Sequence, residues 1–139
     1  MGTPATVSIK NNEGLRTIYC HYDGYLASLG NVLLEHYTTE ERVNALIDFG
    51  DASSIYKNLC PLEDGEHTFL YPQKDTCVFY HRDRGESLVI KNYVSEASML
   101  RNRGMEYNYL FKDGEWYYCF SKSKGFSDWE KLATIKEEK

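Results

Sequence analysis

The segment TPATVSIKNNEGLRTIYCHY, Thr3 to Tyr22, sets the architecture. Thr3 to Lys10 alternates small or apolar residues with polar ones, and Arg16 to Tyr22 does the same with β-branched and aromatic residues. Between them, Asn11-Asn12-Glu13-Gly14 reads as a turn. A period of two on both sides of a turn predicts an antiparallel hairpin, the first two strands.

Working outward, Asp23-Gly24 breaks the strand, and Leu26, Leu29, Leu33 and Tyr37 follow at helical spacing, which predicts a helix from about Tyr25 to His36. Thr38 with Glu41 three residues on has the form of a capping box for a second helix, whose apolar face is Val43, Leu46, Ile47 and Phe49. Gly50 ends it. From Asp51 to Asp75 the chain is of mixed polarity and holds Pro61 and Pro72; irregular stretches of this length usually serve a ligand, a lid or a subunit contact.

Thr76 to His81 is apolar enough for a central strand, followed by the charged turn Arg82-Asp83-Arg84-Gly85-Glu86. Leu88 to Val94 predicts a short strand and Ser95 to Arg103 a short helix. Glu106 to Phe111 and Glu115 to Phe120, joined by Lys112-Asp113-Gly114, give the strongest hairpin signal in the chain. Ser127 with Glu130 predicts a final short helix running into Lys136-Glu137-Glu138-Lys139. The expected fold is therefore α+β: one domain over residues 1–139 with an antiparallel sheet, two helices after the first hairpin and a short C-terminal helix.

A net charge of −5 argues against binding long nucleic acids, which requires many cations to displace counterions from phosphates. No run of about 18 apolar residues and no charged-then-apolar leader is present, so a soluble cytoplasmic protein with no membrane partner is expected. Cys20, Cys60, Cys77 and Cys119 are widely spaced and read as reduced thiols, not as a disulfide scaffold.

Four of the six arginines, Arg82, Arg84, Arg101 and Arg103, fall within one stretch, interleaved with Tyr80, Asn92, Tyr93, Tyr107 and Tyr109. Arginine offers a planar fork of donors that suits phosphate, tyrosine a face for a nucleobase, and asparagine an amide for a base edge. This predicts a site for a small anionic ligand. The alternative is a solvated face on which these arginines pair with Asp83, Glu86, Glu96 and Glu106. His21 with Asp23, and His81 with Asp83 and Glu86, each resemble part of a metal site, the second being the basis for a small metal-dependent phosphodiesterase as a rival reading. No Gly-x-Ser-x-Gly elbow and no phosphate loop occurs, no cofactor is called for, and a binder is expected in place of an enzyme. Tyr107, Tyr109, Tyr117, Tyr118 and Trp116 in the last hairpin favour a homo-oligomer.

Several motifs together carry a resemblance. Met1-Gly2-Thr3 before Ala5-Thr6-Val7, Ile18 to Tyr25, Val78 to Glu86, Glu106 to Phe111 and Asp113 to Tyr117 resemble a widespread group of small phage and prophage proteins, over nearly the whole chain. Within that group the chain looks like the first type of Thoeris anti-defence protein, a sponge for the cyclic ADP-ribose signal made by bacterial TIR-domain enzymes. The resemblance implies a homo-oligomer, such as a hexamer, in the host cytoplasm, holding a cyclic nucleotide without cleaving it and accepting cyclic oligonucleotides too. It implies adenine stacking on Phe79 or Tyr80, with Arg82, Arg84, Asn92, Arg101 and Arg103 on phosphates and riboses. Pro4, where the group commonly has a basic residue, and Tyr22, where it often has tryptophan, depart from the pattern. The rival of another class is an interaction protein that inhibits a host defence enzyme by contact.

Overall fold

In the computed structural model, which describes residues 3–133, β1 (Ala5–Asn11) and β2 (Gly14–Cys20) form the expected hairpin, in register from Ala5 opposite Cys20 to Asn11 opposite Gly14. Asn11 Oδ1 accepts the Glu13 N–H at 2.8 Å and closes the turn. Gly14 has φ +133°, and any Cβ there would collide with the Tyr93 carbonyl, because a later strand crosses close to the turn.

The helix expected over Tyr25 to His36 is divided. Residues Leu26–Gly30 form a π-helical turn, in which the Asn31 N–H reaches back to Leu26 O, and only Asn31–His36 is α-helical (α1). Helix α2 (Glu40–Asp48) begins one residue later than the capping box predicts: the Thr39 hydroxyl, not that of Thr38, accepts the Arg42 N–H at 3.2 Å. The carboxylates Glu40 and Glu41 then lie in the first turn, where the helix dipole favours them. Gly50, at φ +82°, turns the chain out of the helix.

Beyond it come β3 (Ala52–Ser54) and β4 (Val78–Phe79). The strand expected from Thr76 to His81 shrinks to these two residues at the margin of the sheet, because Asp83 Oδ2 accepts the Phe79 N–H at 2.8 Å and starts a helical turn. The charged segment expected as a turn is thus helix α3 (Tyr80–Arg84), closed by Gly85 at φ +77°. Strand β5 (Lys91–Tyr93) and helix α4 (Glu96–Arg103) follow, the helix capped by the Ser95 hydroxyl on the Ser98 N–H. Strands β6 (Tyr107–Lys112) and β7 (Glu115–Phe120) meet at Asp113-Gly114, both at positive φ as a tight hairpin requires. No helix starts at Ser127. Its hydroxyl instead accepts the Phe120 N–H, and the chain continues as β8 (Glu130–Lys131) against β7. The expected tail, Lys136 to Lys139, lies outside the described residues.

All eight strands join one sheet in the order β4-β3-β2-β1-β6-β7-β8, with β5 also pairing β2. The α+β class stands, and most joins are antiparallel. Two are parallel, β1 with β6 and β2 with β3. On one face Val7, Ile9, Ile18, Tyr109 and Phe111 pack with α1 and α2 through Leu33, Leu46 and Ile47. The opposite face carries Leu15 and Leu110 beneath Met99 of α4, beside a buried polar layer in which the Thr6 hydroxyl donates to Asn108 Oδ1 and Ser8 pairs with Thr17. Among the described residues no helix is long and apolar enough to cross a membrane.

Cys20, Cys77 and Cys119 are buried and Cys60 is exposed, all four as free thiols. Burial raises the Cys20 and Cys77 thiols above the ordinary range and pushes Cys119 up to about 12, so their thiolate is suppressed at neutral pH. An aromatic disulfide reagent at pH 8 is therefore expected to modify one thiol per native chain and four after denaturation. Cys60→Ser should abolish the native reaction, and fast labelling of a second thiol would contradict this packing.

Candidate functional site

The seven residues singled out in the sequence do not form one cluster. Phe79 is fully buried and stacks on Phe49 at 4.7 Å, so its face is closed to a ligand. Arg82 lies over the rings of Phe49 and Phe79, at 4.9 and 5.1 Å. Its Nε donates to Asp83 Oδ1, Nη1 to Leu59 O at 2.8 Å, and Nη2 to Asp83 Oδ2 and Cys77 O. Those bonds engage every nitrogen of the guanidinium with the protein. His67 completes the arrangement: Nδ1 accepts the Gln73 N–H at 2.9 Å, which places the ring proton on Nε2, 3.0 Å from Cys77 O and 3.5 Å from Asp83 Oδ2. Arg82 thus fastens the long irregular segment to α3.

Asn92 stands opposite Arg16 across the β5–β2 pair and therefore shares its face, the one covered by α2, where Arg16 donates to Asn44 and Asp48. Arg101 is exposed on α4, and two residues along a helix it points away from Arg103. Arg84 is half exposed, pairs with Glu86 at 3.0 Å, and lies 4.5 Å over the Phe69 ring.

Tyr80 and Arg103 remain, and both are tied to Asp51, Tyr80 through its backbone N–H and Arg103 through its guanidinium. Strand β2 pairs with β5 through Thr17 and with β3 from Cys20, leaving a gap at Tyr19. Asp51 fills it. Its Oδ1 accepts the Tyr19 N–H at 2.9 Å, its Oδ2 meets Arg103 Nη2 at 2.5 Å, its N–H donates to Val89 O, and its carbonyl accepts the Tyr80 N–H. Arg103 ends α4, where the helix dipole favours a cation, and both members of the pair are mostly buried. Its Nη1 is buried with no hydrogen-bond acceptor.

Around this pair stand hydroxyls and rings. The Tyr19 hydroxyl is 2.6 Å from His21 Nδ1, and the His21 ring meets Tyr22 edge-on at 4.5 Å. Burial, then neighbouring Cys20 and Asp51, raise the Tyr19 phenol, with Arg103 opposing. Burial, then Tyr19, raise Tyr80, while a hydrogen bond with Ser53 opposes. Both phenols therefore stay protonated and able to donate to an anion at neutral pH. Tyr80 also meets the Phe69 ring at a tilt, 5.9 Å away, so Tyr80, Phe69 and the Arg84 guanidinium follow one another beside an open basin of about 510 Å³ that Thr68 and Tyr71 help to line.

No family model, curated protein or solved structure matches this chain. Function is read from the residues themselves. A cation, two phenols, an imidazole and a guanidinium lying over a ring are groups able to hold an oxyanion joined to a flat ring. The groups a phosphodiesterase would need are committed elsewhere: Asp83 to Arg82 and Phe79, Glu86 to Arg84, and His81 Nδ1 to Glu86 O. Among the described residues no three His, Cys, Asp or Glu side chains gather as for a metal ion. A basin of about 470 Å³ beyond the end of α4 is lined by Gly104, Met105, Tyr107, Ser121 and Phe126, and its one charged group is Glu106, so it offers an anion no cation. Sequence reasoning missed Tyr19, Asp51, Ser53 and Phe69 and took His21 only with Asp23 as part of a metal site; the spacing of two between Tyr19 and His21, which sets both on one side of the chain as β2 ends, was the available signal.

Arg82→Ala leaves the Asp83 carboxylate buried without its cation, and removing one partner of such a pair costs about 3 kcal/mol. The melting temperature of the apo protein is expected to fall by roughly 10 °C. A fall below 2 °C by calorimetry would show that Arg82 is not a fastener.

Proposed function

We propose that this chain binds and sequesters a compact anionic nucleotide signal, of the cyclic ADP-ribose type, without cleaving it. The observation that carries the reading is the half-satisfied Arg103 guanidinium on Asp51, with the Tyr19 phenol and His21 near it, Tyr80 joined to the same aspartate through its backbone, and the Phe69–Arg84 contact adjoining Tyr80. The motif resemblance supplies the nucleotide class, and cyclic oligonucleotides share its chemistry. A sponge needs no catalyst: nanomolar affinity corresponds to about 12 kcal/mol, which charge-assisted hydrogen bonds and base stacking together can supply. It would act in the host cytoplasm.

A homo-oligomer, such as a hexamer, would exclude water from the face. Leu70 and Tyr71, exposed by 76% and 66% beside the basin, offer apolar surface for a subunit contact. The same two residues favour the second reading, inhibition of a host enzyme by contact.

Incubation with cyclic ADP-ribose isomers and cyclic di- and trinucleotides, followed by heating and analysis of what is released, decides among these. Intact released ligand is expected. Altered ligand would establish an enzyme, and no depletion of any nucleotide would leave the contact inhibitor.

Single substitutions refine the map. Tyr80→Ala and Arg103→Ala should each weaken depletion at least tenfold, whereas Asn92→Ala and Arg101→Ala, placed elsewhere, should change it less than twofold. Equal losses from Asn92→Ala and Tyr80→Ala would move the site off this face.

A further inference from the structure

Arg103 has an unusual imbalance. Nη2 is committed to Asp51, while Nη1 is buried without an acceptor, and leaving a buried donor unmade is unfavourable. A carboxylate facing arginine commonly takes both forks of the guanidinium. Asp51 does not: one oxygen is turned to the Tyr19 N–H in the gap of the sheet and the other meets Nη2 alone. Among the described residues nothing supplies the missing acceptor, and the nearby hydroxyls are paired with groups that can exchange donor and acceptor roles, Tyr19 with His21 Nδ1 and Tyr80 with Ser53. The guanidinium is a half-filled fork with adjustable donors around it.

We propose that Arg103, with Tyr19, forms a seat for one phosphate oxyanion, and that Asp51 is the positioning residue that occupies Arg103 in the empty state and is displaced from it by the anion. This rests on the reading of the same face as a nucleotide site and names the atoms that take the phosphate. Phosphate suits the seat better than carboxylate, since it can meet both guanidinium nitrogens and still present an oxygen to a hydroxyl. Nη1 has no direct contact with solvent, so the anion enters as the partly exposed Arg103–Asp51 pair parts.

Asp51→Asn separates competition from simple support. Asparagine keeps Oδ1 for the Tyr19 N–H but turns a neutral amide toward Arg103, so removal of the competing charge should tighten phosphate binding by about tenfold. Arg103→Lys keeps charge but loses the fork, and should weaken it at least fivefold.

The probe is inorganic phosphate, added at constant ionic strength against chloride and followed by the backbone amide of Tyr19 in ¹H–¹⁵N spectra, with thermal melts as the check on folding. Expected are a saturable shift at Tyr19 with phosphate and none with chloride, its loss in Arg103→Gln, and tighter binding in Asp51→Asn. An undiminished shift in Arg103→Gln, or weaker binding in folded Asp51→Asn, would overturn the seat. Should Asp51→Asn fail to fold, unchanged affinity in Arg103→Lys would overturn it equally. Parallel depletion of cyclic ADP-ribose distinguishes the two readings: depletion undiminished in Arg103→Gln removes the seat and spares the sponge, whereas phosphate binding with no nucleotide depleted removes the sponge and spares the seat.

Discussion

One aspartate holds together three parts of this molecule that have no other reason to meet. The edge of β2 changes partner from β5 to β3, and a backbone N–H at the change would otherwise lie within the sheet unpaired. The Asp51 side chain supplies the acceptor, and its second oxygen reaches the last residue of α4. Its main chain meanwhile joins the approach to β5 and the start of α3. Sheet continuity, helix placement and the candidate site thus depend on a single carboxylate, and the charge that completes the fold is also the charge against which a ligand must compete.

The arginines show how one residue type takes opposite roles within a short stretch. Arg82 is surrounded by carbonyls and a carboxylate and lies over one buried and one partly buried ring, so its charge is satisfied internally. Arg103 is held on one side only. What separates them is the number of acceptors the fold brings within reach, which no local pattern reveals. Leu59 and Cys77 face Arg82 only because the irregular segment folds back over α3.

Local regularities were legible. Alternation about Asn12-Glu13 and about Asp113-Gly114 gave both hairpins, and Ser95 gave the start of α4. Features that depend on residues meeting from afar were not. The parallel join of β1 to β6 links positions about a hundred residues apart, and neither strand's pattern shows its orientation to the other. Asp83 turned an apolar run from strand to helix by taking the Phe79 N–H, a bond made backward along the chain. Ser127 misled because a hydroxyl that accepts an N–H at a helix start does the same at a strand end. At the site, the gathering of arginines was visible, but the aromatic partners were displaced: Phe79 went inward with the β4 pleat, while Tyr19 of β2 and His21 just beyond it stayed half-buried on the other face.

The parallel join has a consequence for how the chain comes to be folded. β1 precedes every other described strand in the chain, yet one of its two long edges is completed by β6, more than a hundred residues later. Until then the nascent hairpin exposes an unpaired edge bearing Val7 and Ile9, and its alternating pattern is one that other strands can join. Non-local pairing of this kind slows folding, since a long loop must close before the contact is made. The buried polar layer above that edge, Thr6 with Asn108 and Ser8 with Thr17, then acts as a register key, because a slip of one residue would send those hydroxyls into the apolar core.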